Sequence, residues 1–448
     1  MSEELILNEI EKNREEYIEF LRNLIQAESY NPPGNEKNVA SIIKKYLKDA
    51  NLNCEIFPFG DNRANLYCAL NDKFDGKTLV YNGHMDVVPP GNEEEWKYHP
   101  LSASIKRKRV YGRGAIDMKG GLAAIVIALK LLKKLSLKLS GNLILNAVAD
   151  EETGGFLGTK WLVENKLTTI ECDFVIIAEP TRLEPLGMGA IVGEKARIEI
   201  KIVTNGISSH AAIPFAGKNA IIMMSEIIQN LDKIEEYIPK IEPPISLTEL
   251  KENMSVAFPS KEIFEKILEE QPFLQNIIKS NLQIVKSLNM INGGIKSNVT
   301  PDLCEAIMDF RLLPNHTTDM VLEALKKVIT DLGYEIRDKP SGDPEEIFVY
   351  LEVLKDSTPS YWKDWRNSEE LKDLNSIVEK IYKKKTIPFF FPASADALFY
   401  RNSGYCPSTI LFGPGMATNA HAADEYIEIQ DFIDAIKVYS LFAAKFLR

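Results

Sequence analysis

The sequence predicts an α/β protein: a discontinuous domain with a mostly parallel central sheet, built from both ends of the chain, and an α+β domain inserted into it. Three observations predict this. Nearly all-apolar strands at 78–81, 143–149 and 174–178 alternate with helical stretches, as in a sheet covered on both faces. From 197 to 203 the run R-I-E-I-K-I-V alternates with period two, which marks a sheet with one solvated face. From about Ser357 the α/β character resumes. These changes place the discontinuous domain at 1–187 and 357–448, and the insert at 188–356.

Taken in order, 3–28 and 36–50 read as amphipathic helices on either side of the turn Asn31-Pro32-Pro33-Gly34. Strand-like stretches follow at 54–59, 65–69 and 78–81. A helix opens after Gly120-Gly121 and runs to about 135, apolar along most of its length and therefore buried. Within the insert, the period-two strand is followed by a helix at 219–231 and a mainly helical extension at about 241–288 that carries no strand signal. Strands at 303–311 and 347–354 flank a helix at 318–332, an arrangement that reads as an antiparallel sheet with helices on one side. The chain closes with a helix at 369–384, apolar 387–391, a strand at 409–412 and a helix from Asp431.

Composition narrows the function. The 448 residues are 45% hydrophobic and 26% charged, enough to bury a core without help from disulfides or a structural metal. Net charge is −11 with scattered cations, so a phosphate backbone is repelled and nucleic acid is excluded as a partner. The densest basic run, Lys106 to Arg109, sits between strand-like residues and reads as a solvated hairpin. Five cysteines, odd in number and never in C-x-x-C, point to reduced thiols and a cytoplasmic location. The acidic start Met1-Ser2-Glu3-Glu4 has no signal pattern. The longest apolar run, 122–129, falls far short of the about 20 residues that span a bilayer, so no membrane association is expected.

The chemistry concentrates at strand ends. His84, in Y-N-G-H-M-D-V-V-P-P-G, follows an apolar strand. Asp86, two residues on, projects to the same side of an extended backbone, so its carboxylate is expected to hold one ring nitrogen and leave the other for a metal. Asp117, in Y-G-R-G-A-I-D-M-K-G-G, precedes the buried helix and alone would pass for a cap. Glu151 and Glu152, in D-E-E-T-G-G, end a second apolar strand, and Glu179, in I-I-A-E-P-T, ends a third. In open α/β sheets, sites form at that carboxyl edge. So many ligand-type residues along one edge read as a metal site.

These segments resemble the zinc-dependent M20 peptidase family, which includes acetylornithine deacetylase, succinyl-diaminopimelate desuccinylase, aminoacylase and glutamate carboxypeptidase. The resemblance runs from about Asn31 to His421, with several motifs in the right order. It implies that His84 and Glu179 bind one ion, that Glu152 and His421 bind another, and that Asp117 bridges both. It makes Asp86 the residue that orients His84, and Glu151 the general base. His421, in G-P-G-M-A-T-N-A-H-A-A-D-E, takes its assignment from the resemblance alone. Three carboxylates, two divalent ions and one hydroxide sum to zero charge, and ions about 3.5–4 Å apart need such a bridging acid. Oxygen and imidazole ligands without thiolate suit zinc, and also cobalt or manganese. The implied function is cleavage of an amide bond in a small N-acyl amino acid, of deacetylase or desuccinylase type, by a metal-bound hydroxide with a Glu general base.

The same resemblance makes the insert a lid and dimerisation domain and the protein a homodimer. It has His210, in N-G-I-S-S-H-A-A, reach across the dimer toward the developing oxyanion. Asn298 and Arg311 resemble a substrate-clamping pair, Arg311 gripping a carboxylate, while Gly413 and Gly415 are expected to offer backbone donors to that carboxylate. Ser394-Ala395-Asp396 resembles a segment beside the pocket and receives no role. His99 and His316 match no ligand position. The extension at 241–288 exceeds what compact relatives carry; covering the pocket, extending a dimer contact and binding nothing all stay open. Two competing readings remain: a metallo-carboxypeptidase or dipeptidase using the same chemistry, and a non-catalytic binding protein on the same fold.

Overall fold

The computed structural model describes residues 2–71, 75–338 and 346–448. The larger of its sheets has ten strands among the described residues. Eight follow one another in the order Cys54–Phe59, Arg63–Ala69, Asn142–Val148, Thr78–His84, Phe174–Ile177, Thr409–Leu411, Gly187–Glu194 and Ser360–Tyr361. The middle four, from Asn142–Val148 to Thr409–Leu411, run parallel. Their neighbours on either side pair antiparallel, so the sheet is mixed with a parallel centre. Every residue of Thr78–His84 and Asn142–Val148 is buried. Near-continuous apolar strands need cover on both faces, and helices supply it. Lys119–Lys134, buried along most of its length, packs against the C-terminal helix Ile429–Phe446.

A second, five-stranded sheet runs Val285–Gly293, Leu303–Leu312, Ala196–Asn205, Phe348–Asp356 and Ile336–Arg337. Its first four strands are antiparallel. Ile198, Ile200 and Ile202 point into a core shared with the helices Ala220–Gln229 and Thr318–Asp331. Asn219 and Thr317 cap those helices, each accepting from backbone N–H groups of the first turn. The intervening positions Arg197, Glu199 and Lys201 lie on the opposite face, only partly buried, as the period-two pattern requires. The basic run forms the expected hairpin between Ser104–Lys106 and Arg109–Tyr111.

Several boundaries move. The helix expected over 3–28 is two helices, Ser2–Lys12 and Arg14–Gln26, because Asn13 leaves helical geometry and turns its amide back onto Glu9 at 2.8 Å. The strand Gly187–Glu194, which a 187/188 boundary assigns almost wholly to the insert, belongs to the larger sheet. Its glycine-rich sequence has no periodic signal, and sheet membership changes between Glu194 and Ala196 instead. The extension at 241–288 holds three helices, Leu247–Ser255, Lys261–Glu270 and Pro272–Leu282, and then the start of the strand Val285–Gly293. That strand escaped detection because it is a largely exposed edge with no buried face to impose alternation. The helices pack on the larger core rather than the smaller. Phe264 and Leu274 join it, and the Asn281 side chain accepts from Phe390 N at 2.8 Å.

Candidate metal centre

The carboxyl ends of the parallel strands collect the acids. His84 is the last residue of its strand, Glu151 and Glu152 form the turn after Asn142–Val148, and Glu179 lies two residues past Phe174–Ile177. Asp117 reaches them because the next helix starts unusually close to the sheet. A Cβ on Gly121 would sit 1.9 Å from the Ala178 carbonyl, so glycine alone permits this approach. His421 arrives from the loop after Thr409–Leu411 in a left-handed conformation, φ 62°.

Asp117 divides its two oxygens between two imidazoles. Its Oδ1 lies 3.0 Å from His84 Nε2, which is also 3.6 Å from Glu179 Oε1. Its Oδ2 lies 3.2 Å from His421 Nε2, which is 3.4 Å from Glu152 Oε2. Two three-donor groups thus share one carboxylate. His84, Asp117 and Glu152 also offer donor atoms within 4.8 Å of one another, as do His84, Glu151 and Glu179. Glu152 Oε1 is buried without a hydrogen-bond partner, an expensive state for a carboxylate oxygen that a cation would relieve. Burial, reinforced by neighbouring acids, raises the pKa of Glu151 and Glu179 well above the carboxylate range. Burial opposes charging of His84, yet Glu179 and Asp117 raise its pKa well above normal. His421 is pushed up to about 10, first by its bond to Asp117. A cluster this rich in negative charge suits divalent cations, and its nitrogen and oxygen donors fit them.

Surrounding groups fix the donors. His84 Nδ1 donates to the Asp86 backbone carbonyl at 2.8 Å, whereas the Asp86 carboxylate is 3.7 Å away. The expected carboxylate contact is therefore corrected: the spacing put Asp86 on the right side but could not say which oxygen acts. The outcome for the ring is the same, since a carbonyl only accepts and Nε2 faces the acids. The Asp86 carboxylate instead accepts from Asn31 Nδ2 at 2.8 Å and from the amides of Glu151 and Glu152 at 3.3 and 3.2 Å. Buried Arg113 donates to Glu425 and to the carbonyls of His421 and Ala422, while Glu425 accepts from the amides of Ile116 and Asp117. Asp396 accepts from Thr159 Oγ1 at 2.7 Å behind the cluster. Sequence reasoning missed Arg113 and Glu425 although both stand inside quoted motifs, because the ion pair that marks them joins residues far apart in the chain.

A cavity of about 840 Å³ opens on the cluster, lined by Asp117, Glu151, Glu152, Glu179 and His421 and, across from them, by Arg311 and Arg197. Arg197 was also missed, though the period-two strand puts it on the open face. It stands directly opposite Arg311 in the ladder, and Asp309 accepts from both guanidinium groups. The other expected substrate contacts do not assemble within this chain. His210 and Asn298 are exposed neighbours on a two-stranded ribbon and do not line the cavity, so Asn298 is not paired with Arg311. The Gly413 amide donates to Thr181 Oγ1 at 3.2 Å and the Gly415 amide to Asp431 Oδ2 at 2.9 Å. Both donors are consumed inside the protein, which corrects their expected role. His99 is exposed and His316 buried, both away from the cluster.

The pattern described as peptidase family M20/M25/M40 matches residues 80–445. A probable succinyl-diaminopimelate desuccinylase of Staphylococcus aureus is 28% identical over 440 residues, spanning 97% of this chain and 98% of that protein. The M20 family metallo-carboxypeptidase Sso-CP2 of Sulfolobus solfataricus superposes with a TM-score of 0.75 at 22% identity, covering 96% of this chain and 99% of that one. Human carnosine dipeptidase 1 does so with a TM-score of 0.74 at 14% identity, covering 100% and 99%. Among the described residues, no helix is long and apolar enough to cross a membrane.

Proposed function

The chain belongs to peptidase family M20/M25/M40 and is a hydrolase of amide or peptide bonds, and from that premise we propose that its substrate is a small N-acyl amino acid, deacylated at two divalent ions. The sharing of the Asp117 oxygens between His84 and His421 carries this reading, because a carboxylate so placed is suited to bridge two cations. His84 and Glu179 would hold one ion, Glu152 and His421 the other. Such ions supply Lewis acidity to the scissile carbonyl and acidify the attacking water. Glu151, in the same donor cluster as His84 and Glu179, collects the proton and delivers it to the leaving amine. Arg311, with its guanidinium held by Asp309, grips the substrate carboxylate. The donor set suits zinc, with cobalt and manganese as alternatives.

The units at both chain ends and in the insert would act as catalytic domain and lid. The free cysteines support a cytoplasmic location. A homodimer is supported by the edge strand Val285–Gly293, where Met290 and Ile291 are exposed. Such a dimer would bring His210 toward the partner's cavity.

A second reading, a carboxypeptidase or dipeptidase, is favoured by a cavity roomy enough for a peptide. A panel of N-acetylornithine, N-succinyl-diaminopimelate and simple dipeptides, assayed with zinc, cobalt and manganese, separates the two. Hydrolysis of peptides alone would reject the deacylase reading.

A further inference from the structure

Phe156 follows the Glu151–Glu152 turn and lines the cavity, yet 57% of it is exposed. Aromatic and apolar side chains that line a cavity with polar groups beside them are the usual lining of a ligand site. The preceding glycines are what put it there. Gly154 and Gly155 both have positive φ, and a Cβ on Gly155 would come within 2.5 Å of Asp396 Oδ1 and 2.7 Å of the Phe399 ring. With glycine at 155, the chain passes close over Asp396, and the Phe156 ring meets Phe399 edge-on at 5.8 Å. Val163 and Leu398 line the same wall, and the Lys160 ammonium stands 5.2 Å from the Phe156 ring on its rim.

We propose that Phe156 and Phe399 form an apolar shelf that receives the side chain of the substrate's amino acid, so that the enzyme selects leucine- or phenylalanine-like residues over cationic ones. This rests on the amide-hydrolysis reading above. The cavity around the clustered acids offers two kinds of lining: Arg197 and Arg311 suit a carboxylate, while the shelf suits hydrocarbon. A cationic side chain on the shelf would lose hydration and meet the Lys160 ammonium, while the nearby acids are already engaged, Glu164 by Lys160 at 3.9 Å and Asp396 by Thr159 at 2.7 Å.

The test holds the acyl group constant. N-acetyl-leucine and N-acetyl-phenylalanine are compared with N-acetylornithine, by kcat/KM, in the metal-loaded protein and in Phe156→Ser and Phe399→Ser variants. The expected preference for the apolar substrates is tenfold or more in the parent protein, falling below threefold in Phe156→Ser. Thermal melting of the variants shows that the fold persists, which exposed Phe156 should allow. Equal rates on the three substrates, or a preference for ornithine, would overturn the shelf. So would an apolar preference that survives both substitutions. No turnover of any of them or of dipeptides would instead overturn the reaction itself.

Discussion

Arg113 Nη1 lies 2.6 Å from Glu425 Oε2, and this buried ion pair ties together the two chain segments that carry Asp117 and His421. Glu425 holds the amides of Ile116 and Asp117, while Arg113 holds the carbonyls of His421 and Ala422. A charge left alone at either position would be desolvated and unpaired. Glu425→Ala is therefore expected to cost about 3–5 kcal/mol in chemical denaturation. It should also lower the ion content per chain, because the Asp117 and His421 donors lose their common brace. Unchanged stability together with full ion content would show that the pair fixes neither segment.

Glu151 and His84 separate chemistry from ion binding. Glu151→Gln is expected to keep the bound ions and to lose turnover by about 10²–10⁴-fold, the usual contribution of a positioned proton carrier. His84→Ala should lose ions as well as turnover. Elemental analysis alongside steady-state rates distinguishes the two, and full activity in Glu151→Gln would remove it as the base.

A Cβ on Gly121, at the start of the helix Lys119–Lys134, would meet the Ala178 carbonyl just past the strand Phe174–Ile177. Gly121→Ala must push the helix start away from Ala178, at a cost of about 1–3 kcal/mol for overpacking. Since Asp117 rides on that helix start, ion affinity is expected to fall by more than in a core substitution of equal cost elsewhere. Titration of apoprotein with zinc would measure this.

Those three sites differ in how readable they were. Ligand-type residues at the ends of apolar strands announce themselves, because a strand end fixes where a side chain emerges. Gly413 and Gly415 misled, since the groups that consume their amides, Thr181 from far upstream and Asp431 from the final helix, are brought to them only by the tertiary fold. The helices at 247–282 were visible as helices, but periodicity says nothing about which core an apolar face will meet. The strand Val285–Gly293 was invisible because alternation arises only where one face is buried. Arg113 was passed over because a buried cation is legible only through its partner, Glu425, more than three hundred residues away.

Lys195 gives stability a pH dependence. It is almost fully buried at the crossing between the two sheets, donates to Gln283 O at 2.7 Å, and is lowered by desolvation, with Arg311 adding to the effect, to about 8. Unfolded, the ammonium keeps its ordinary pKa near 10.5. Between those values the unfolded chain binds more protons than the folded one, so stability rises with pH across this window. Lys195→Met should abolish that rise relative to the parent protein, a difference on the order of 3 kcal/mol over the window. Parallel denaturation curves at pH 7.5 and 10 provide the check, and identical pH slopes would show that Lys195 is not held charged and desolvated.

The edge strand Val285–Gly293 should carry the association of two copies. Met290 is 63% exposed and Ile291 57%, on a strand whose outer edge has no neighbour among the described residues. Ile222 and Ile295 are also exposed, and Ile221 lies close to Gly293 and Gly294. An open apolar edge of this kind invites pairing with another chain. Replacing Met290 and Ile291 together with lysine puts two like charges per copy on that edge and should yield monomers in sedimentation velocity. His210 sits on the separate two-stranded ribbon, outside its own cavity. If it serves the partner's cavity, the monomeric variant and His210→Ala should lose similar turnover while retaining bound ions. A monomeric variant with undiminished turnover would confine the active site to one chain.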